Sequence, residues 1–412
     1  MTIAAVTTTI NNVQEDRTAS REPLRRPHLL HVFPSFVPAG TEMRTVNLIA
    51  GFDGELRHSI VSLDGRTTAA DRLPPGAPVR LLPSFPKVGS LVTTARLRSV
   101  LRREAPDLVL TYNWGAFDMI LAAHSLGFRR LIHHEDGFDA DEALSFKRRR
   151  ILARRIALHG VPRVVVPSSR LHDIATRLWK VPEERVLLIR NGIRLDAFTA
   201  AGGDHEHQTL RRELGIPSDA LVIGTVGHLR AEKNFVRLLD ACAALDPALG
   251  VHVLIVGEGG ERPALEARAA RPDLAGRVHL AGYSPDPPRF YRAMDLFALS
   301  SDTEQMPVCI LEAMGSGLAV ASTDVGDIRA VLPSEQAPFL VPLMGQTTAA
   351  GLSRALGELA RNPETRRRLG QLNRRRVEES FSFAAMLSAY RKVYHEVLCT
   401  PQPSAEPAEG LC

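Results

Sequence analysis

Ser300-Ser301-Asp302-Thr303-Glu304-Gln305-Met306-Pro307-Val308-Cys309-Ile310-Leu311-Glu312-Ala313-Met314-Gly315-Ser316-Gly317 leaves a short apolar run, Leu296–Leu299, and crosses a polar loop. It then enters a helix near Pro307, where a residue without an N–H suits the first turn, and Gly317 fits the exit. Strand, tight loop and helix together make the repeating unit of a doubly wound α/β sheet.

Outward from this unit the alternation recurs. Upstream, Leu221–Val226 and Val251–Val256 read as strands ending in Gly227 and Gly257, and Val278–Ala281 and Ala319–Ser322 read as two more. The N-terminal half repeats the theme at His28–Phe33, Ser59–Leu63, Leu108–Thr111, Arg130–His133 and Arg163–Pro167. Helix-period stretches at Met43–Ala50, Thr94–Glu104 and Phe117–Leu126 separate several of these strands. Strands alternating with helices call for parallel sheets, and 412 residues are too many for one ordinary core. The expectation is two Rossmann-like domains, 27–200 and 201–380, facing a cleft, with polar Ala200–Gln208 as linker. A helix over 381–400 is expected to return to the first domain, and residues 1–26 and 401–412 are read as disordered or loose tails.

Within the opening segment, Glu304 falls at the helix mouth and Glu312 well inside the helix. Gln305, Met306, Pro307 and Val308 line that mouth. Unpaired N–H groups there, with the positive end of the helix dipole, form a seat for a diphosphate. A carboxylate on each side suits the vicinal hydroxyls of a ribose and a hexose. The alternative is a surface carboxylate plus a helix carboxylate paired with a nearby arginine. Arg230 and Lys233, at a strand-to-helix turn, can converge on one anion or form an exposed basic pair.

These landmarks, in order, resemble the family 4 glycosyltransferases of the retaining GT-B type. Glu304 and Glu312 match the family's Glu-x7-Glu motif, and Gly227 to Asn234 matches its Gly-x-Leu-x-x-x-Lys-Asn/Gly loop. Arg190-Asn191-Gly192-Ile193 with Phe198 resembles its Asn-Gly-Val-Asp-x-x-x-Phe element. Val256-Gly257-Glu258-Gly259 resembles its Val-Gly-x-Gly turn, and Met294-Asp295-Leu296-Phe297 its Ala-Asp-Val-Phe. The resemblance implies the GT-B fold and a nucleotide diphosphate sugar donor, UDP- or GDP-linked. It implies that Glu304 holds the transferred sugar, Glu312 the ribose, and Arg230 and Lys233 the diphosphate. Gly257, Gly259 and Tyr283 are expected beside the nucleoside, with a packed tyrosine the alternative for Tyr283.

In the N-terminal half, Ala39-Gly40-Thr41-Glu42 resembles the family's Gly-Gly loop, with Ala39 in place of one glycine. Gly40 and Thr41 are therefore expected near the donor phosphates. His133-His134-Glu135-Asp136-Gly137 stands where the family carries a cluster facing the transferred sugar, and either His133 or His134 is expected to face the cleft. Zinc is a poor fit, because adjacent histidines rarely share an ion. No Asp-x-Asp element stands where it would serve the diphosphate, so neither a metal nor another cofactor is expected.

The excess of 51 basic over 46 acidic side chains gives a formal charge of +5, carried mainly by arginine. In Lys147–Ile156, Arg148, Arg150, Arg154 and Arg155 are read as one cationic helix face opposite Leu152, Ala153 and Ile156. Such a face suits an anionic inner-membrane surface and a polyprenyl-diphosphate-linked or other saccharide acceptor of exopolysaccharide or lipopolysaccharide assembly. It also suits a plain solvated helix. Nucleic acid is disfavoured, since the run lacks interleaved aromatics. Four scattered cysteines fit no metal spacing, and no leader or spanning segment is evident. A cytoplasmic protein, with or without a seat on the membrane's inner face, is expected. A nucleotide-sugar 2-epimerase of the same fold and a non-catalytic sugar-binding homologue remain the rival readings.

Overall fold

The structure, a computed structural model, describes residues 25–85, 88–138, 147–198 and 203–401. The expected tails, apart from residues 25, 26 and 401, lie outside these residues.

Thirteen strands among the described residues form two sheets. The first holds β1 (His28–Phe33), β2 (Arg57–Ser62), β3 (Val79–Leu81), β4 (Leu108–Tyr112), β5 (Leu131–His134), β6 (Arg163–Val166) and β7 (Val186–Leu188). They run in the order β3-β2-β1-β4-β5-β6-β7. The second holds β8 (Leu221–Val226), β9 (Val251–Val256), β10 (Val278–Gly282), β11 (Leu296–Leu299), β12 (Ala319–Thr323) and β13 (Leu340–Val341), in the order β10-β9-β8-β11-β12-β13. Every pairing is parallel.

All six residues of β1 and all four of β11 are buried, because helices cover both faces of a parallel sheet. Each sheet accordingly carries an apolar core on either side. Strand order reverses between β1 and β4 and again between β8 and β11, and crevices at such switch points receive ligands. The four loops leaving those strands begin at Pro34, Asn113, Gly227 and Ser300. Three of these loops, those after β1, β8 and β11, lead to Gly40 and Thr41, to Gly227, Arg230 and Lys233, and to Glu304 and Glu312, while the other predicted cleft residues lie on β5 or after β9 and β10.

β3, β7 and β13 were not legible in the sequence. They are two- and three-residue edge strands, too short for an apolar run to stand out. The polar stretch read as a linker is helical from Gly203 to Glu213. Burial of Leu210 and pairing of Arg211 Nη2 with Asp295 Oδ2 at 2.7 Å tie that helix to the second domain. Pro307 is the N-cap in extended backbone, and the helix proper is Val308–Gly315. The last helix, Phe383–Leu398, packs Phe383, Met386, Tyr390, Tyr394 and Val397 into the core beside β1 and β4 of the first domain.

Candidate active site

Lys233 ends a short turn after β8, and Glu304 lies in the loop after β11, the neighbouring strand. Adjacent strands of a parallel sheet deliver their carboxyl-end loops side by side, so the two side chains meet. Lys233 Nζ donates to Glu304 Oε1 at 2.5 Å, and Ser301 Oγ donates to the same oxygen at 2.7 Å. Burial works to lower the Lys233 ammonium, but Glu304 beside it holds it above its ordinary value. Below this pair, Arg237 bonds Asp302 Oδ1 at 2.6 Å and the Ser300 carbonyl at 2.8 Å, which pins the loop's start.

In the first turn of the Val308–Gly315 helix the Ile310 N–H bonds the Pro307 carbonyl at 3.2 Å, while the N–H groups of Val308 and Cys309 precede any helical acceptor. The side chains around them are engaged elsewhere. Gln305 Oε1 accepts from Ser168 Oγ at 3.0 Å, and Met306 is buried with its carbonyl taken by Asn191 Nδ2 at 3.0 Å. The Met306 sulfur also accepts from the Asn191 N–H at 3.3 Å, so both its side chain and its carbonyl are spent on Asn191. Gly326, at φ +59°, lies so close that a Cβ there would stand 2.4 Å from the Glu304 carbonyl oxygen. The loop is thus held from both domains.

Glu312, one helix length from Glu304, accepts from Tyr291 Oη at 2.7 Å. Burial raises its carboxyl above the usual range, opposed by that hydrogen bond. Tyr291 gave no signal in the sequence beyond an aromatic in a short helix.

Arg230 does not join Lys233. Its guanidinium is largely exposed and pairs with Glu232 Oε1 at 2.8 Å, so the two cations do not converge in this structure. An extended, exposed arginine takes the nearest carboxylate when no stronger anion is present. Gly257 and Gly259, at φ +148° and +158°, are required by loop packing. Added Cβ atoms would lie 1.9 Å from the Gly227 carbonyl oxygen and 2.4 Å from that of Leu229. Gly227 itself has ordinary room. Tyr283 is 48% exposed and accepts from Arg72 Nη2 at 3.1 Å, so it stands at the rim between the domains.

On the first domain, Gly40 opens the Gly40–Gly51 helix with nothing within 4 Å of an added Cβ. Thr41, in the first turn of that helix, helps to stabilise the charged form of the Asp136 carboxylate. Arg44, one turn on, meets that carboxylate through both terminal nitrogens, Nη2 to Oδ2 at 2.8 Å, and reaches Asn191 Oδ1 at 3.2 Å. Asn113 Oδ1 accepts the Asp136 N–H at 2.8 Å. Burial favours protonation of Asp136, yet Arg44 and Thr41 hold it below the usual carboxylate range. Glu42 lies against this pair, and burial, with Asp136 adding to it, pushes its carboxyl up to about 7.

A histidine open to the cleft was expected, and neither is. Alternation along β5 sends the two imidazoles to opposite faces of a sheet buried on both sides. His133 bonds Thr111 Oγ1 at 2.9 Å through Nδ1, with Nε2 3.4 Å from Glu135 Oε2. His134 stacks on Tyr112 at 4.6 Å between ring centroids, and burial and the nearby Arg44 push it down to about 3. After β5 the chain instead places Asp136, paired with Arg44 of the Gly40–Gly51 helix, next to the first-domain loops. Arg44 and Asn191 were missed as site residues, although both lie within quoted motifs, because their convergence is tertiary.

The basic helix, Arg148–His159, also differs from its reading. Arg154 is 1% exposed, 4.8 Å from the Trp179 ring centre, 4.9 Å from that of Trp114 and 3.4 Å from Glu135 Oε2. An arginine can be buried where a carboxylate pairs it and aromatic faces receive its plane. Arg150 is half-buried over Trp114, while Arg148, Arg149 and Arg155 are exposed. Leu152 and Ile156, assigned to the inward face, are 58% and 69% exposed.

Two family models match the chain: "Glycosyl transferase 4-like domain" over residues 39–192 and "Glycosyl transferases group 1" over residues 206–376. The lipopolysaccharide core biosynthesis glycosyltransferase LpsE of Rhizobium meliloti is 30% identical over 180 residues, 44% of this chain and 51% of that protein. A D-inositol 3-phosphate glycosyltransferase of Saccharomonospora viridis is 27% identical over 369 residues, 81% of this chain and 84% of that one. The chain spans about half the length of several curated relatives it matches, the Rhizobium protein among them. Among solved structures, Anabaena Alr3699/HepE in complex with UDP and glucose superposes with a TM-score of 0.75 at 20% identity. That match covers 90% of this chain and all of the other. The lipopolysaccharide glycosyltransferase WaaG superposes at 0.70 with 14% identity, covering 89% and 99% of the two chains. With both halves matched in order and the two-sheet architecture shared, the chain belongs to the family 4 glycosyltransferases of GT-B fold.

Proposed function

We propose that the protein moves a hexose-type sugar from a nucleotide diphosphate sugar to a saccharide or lipid-linked saccharide acceptor. Retention at the anomeric carbon, and a place in exopolysaccharide or lipopolysaccharide assembly, complete the reading. The observation that carries it is the Lys233–Glu304 pair at the mouth of the Val308–Gly315 helix. A cation and helix N–H groups suit the diphosphate, which is also the charged leaving group, and the carboxylate beside them suits the sugar hydroxyls.

In this reading the diphosphate sits on the helix N-terminus and against Lys233, and Arg230 leaves Glu232 to join it. Glu304 receives hydroxyls of the transferred sugar, and Glu312, steadied by Tyr291, receives those of the ribose. Gly40 and Thr41 approach the donor from the opposite domain. The bond from the anomeric carbon to the phosphate oxygen breaks as the acceptor oxygen bonds to that carbon. The acceptor proton passes to the departing phosphate on the same face. The protein's share is orientation and preorganised positive charge, with the cations doing the work a metal does elsewhere.

The related Anabaena structures hold UDP and UDP-glucose, which makes UDP-sugars the first donors to try. Protection against thermal unfolding across a panel of UDP-, GDP- and ADP-sugars tests the reading. No protection by any of them sinks it, and release of a free epimerised sugar instead of a glycoside points to the epimerase alternative.

A further inference from the structure

Behind the Glu304 loop, two short segments of the second domain and one of the first close a buried hydrogen-bonded circuit. Asp327, in the loop after β12, carries its carboxylate across the domain boundary. There Oδ2 accepts from the Ser169 N–H at 2.6 Å and Oδ1 from the Arg170 N–H at 3.2 Å. The Asp327 N–H donates to the Gln305 carbonyl at 2.9 Å. Ser168 Oγ donates to Gln305 Oε1 at 3.0 Å, which completes the circuit. Ser168, Gln305 and Asp327 are all buried.

Three features set this circuit apart from ordinary packing. The Ser169–Asp173 helix already has its own N-cap, since Ser168 Oγ accepts the Leu171 N–H at 3.1 Å. The carboxylate that meets its other first-turn N–H groups comes from the opposite domain, and from the residue that also holds Gln305. Second, Gly326 leaves no slack. At φ +59° it lies so that an added Cβ would stand 2.4 Å from the Glu304 carbonyl oxygen and 2.6 Å from that of Gln305. A shift of Asp327 is therefore passed to the main chain of both residues. Third, the first-domain wall touches the same loop, because an added Cβ at Gly137 would stand 3.6 Å from Gln305 Cγ. Gly137 follows Asp136, the partner of Arg44. Lys233 and Ser301 hold only the Glu304 carboxylate, and both belong to the second domain. The circuit fixes where its main chain stands against the first.

We propose that Asp327 is a positioning residue for sugar transfer, holding Glu304 at the place where its carboxylate meets the transferred sugar. The nucleotide half of the site, at Glu312, does not depend on it. The inference rests on the glycosyltransferase reading for the roles of Glu304 and Glu312. Asparagine cannot stand in for Asp327, because its amide nitrogen is a donor and would face one of the two main-chain N–H groups.

A double-mutant cycle on full-length protein tests this. Rates are read as nucleotide diphosphate released with water as acceptor, from UDP-glucose or from the nucleotide-sugar that protects best. Affinity for the free nucleotide diphosphate is read by calorimetry. Asp327→Asn should lower the rate about 10- to 100-fold, the scale of misplacing a reacting group by ~1 Å, and keep nucleotide affinity within about twofold. In a Glu304→Gln background Asp327→Asn should cost little further, because the carboxylate it positions is already gone. A merely structural role costs the same in both backgrounds. Ser168→Ala opens the circuit at another point and should lower the rate with nucleotide affinity kept, which decides the matter if Asp327→Asn does not fold. Unchanged rates, an equal loss of nucleotide affinity, or additive losses in the cycle overturn the positioning role alone. Wild type that binds no nucleotide-sugar overturns it together with the glycosyltransferase reading.

Discussion

Lys233 Nζ and Glu304 Oε1 stand 2.5 Å apart, so the carboxylate of the β11 loop neutralises the cation of the β8 loop. On the function proposed above, the diphosphate of the donor would take Lys233 and the sugar hydroxyls would take Glu304, so each partner of the pair has its own test.

Lys233→Ala should reduce turnover by at least ~100-fold, the scale of losing one contact to charge that develops in the transition state. Ser301 Oγ still bonds Glu304, so the loop should keep its place. Initial rates on the folded variant, checked by circular dichroism, decide the point. Near-normal rates would remove Lys233 from the site.

Glu304→Gln and Glu312→Gln should differ. With Glu304 assigned to the sugar in the proposed function, its variant should keep affinity for the free nucleotide diphosphate while losing discrimination among sugars. Glu312→Gln should weaken the nucleotide itself, and Tyr291→Phe should do so more mildly, by freeing the carboxylate that Tyr291 orients. Calorimetry with nucleotide alone separates them, and equal weakening by both glutamine variants refutes the division.

Glu42 carries a pH dependence. Its carboxyl titrates at about 7 in the fold against 4.5 ordinarily, so across that window the folded state holds a proton the unfolded chain has lost. Stability contributed by the protonated form is complete at low pH and declines as pH rises towards 7. Glu42→Gln removes that decline, and relative to wild type the variant should gain up to ~3 kcal/mol between pH 4 and pH 8. Urea unfolding of both proteins at the two pH values measures it. Parallel curves would show that Glu42 is not held protonated beside Asp136.

The arginines of one helix should separate into two kinds. Replacing exposed Arg148, Arg149 and Arg155 with Gln should release the protein from anionic vesicles at low salt with little change in stability. Vesicle binding by wild type should fade with salt, since the attraction acts within about 8–10 Å. Arg154→Gln should instead destabilise the fold by about 3 kcal/mol or more, because it strips a buried carboxylate, Glu135, of its cation. Vesicle sedimentation and denaturant melts together test this. Wild type that ignores anionic vesicles makes the exposed face a solvated one.

The sequence by itself determined the two parallel sheets, because buried strands write continuous apolar runs and their helices write a 3.6-residue period. It also singled out Lys233 and Glu304 by their places at strand ends, and the structure brings these two together at 2.5 Å. Tertiary structure alone decided which charges meet. Asp136 and Asn191 lie 92 and 147 residues from Arg44 along the chain, and the three converge only where the helix after β1 meets the segments following β5 and β7. The same limit explains the histidines and Arg154. A strand's alternation tells which side a residue takes, but not that both sides of the sheet are covered, and a helical wheel does not tell which face its neighbours will pack. Whether an arginine meets water or the rings of Trp114 and Trp179 depends on partners distant in sequence, and local periodicity carries no information about them.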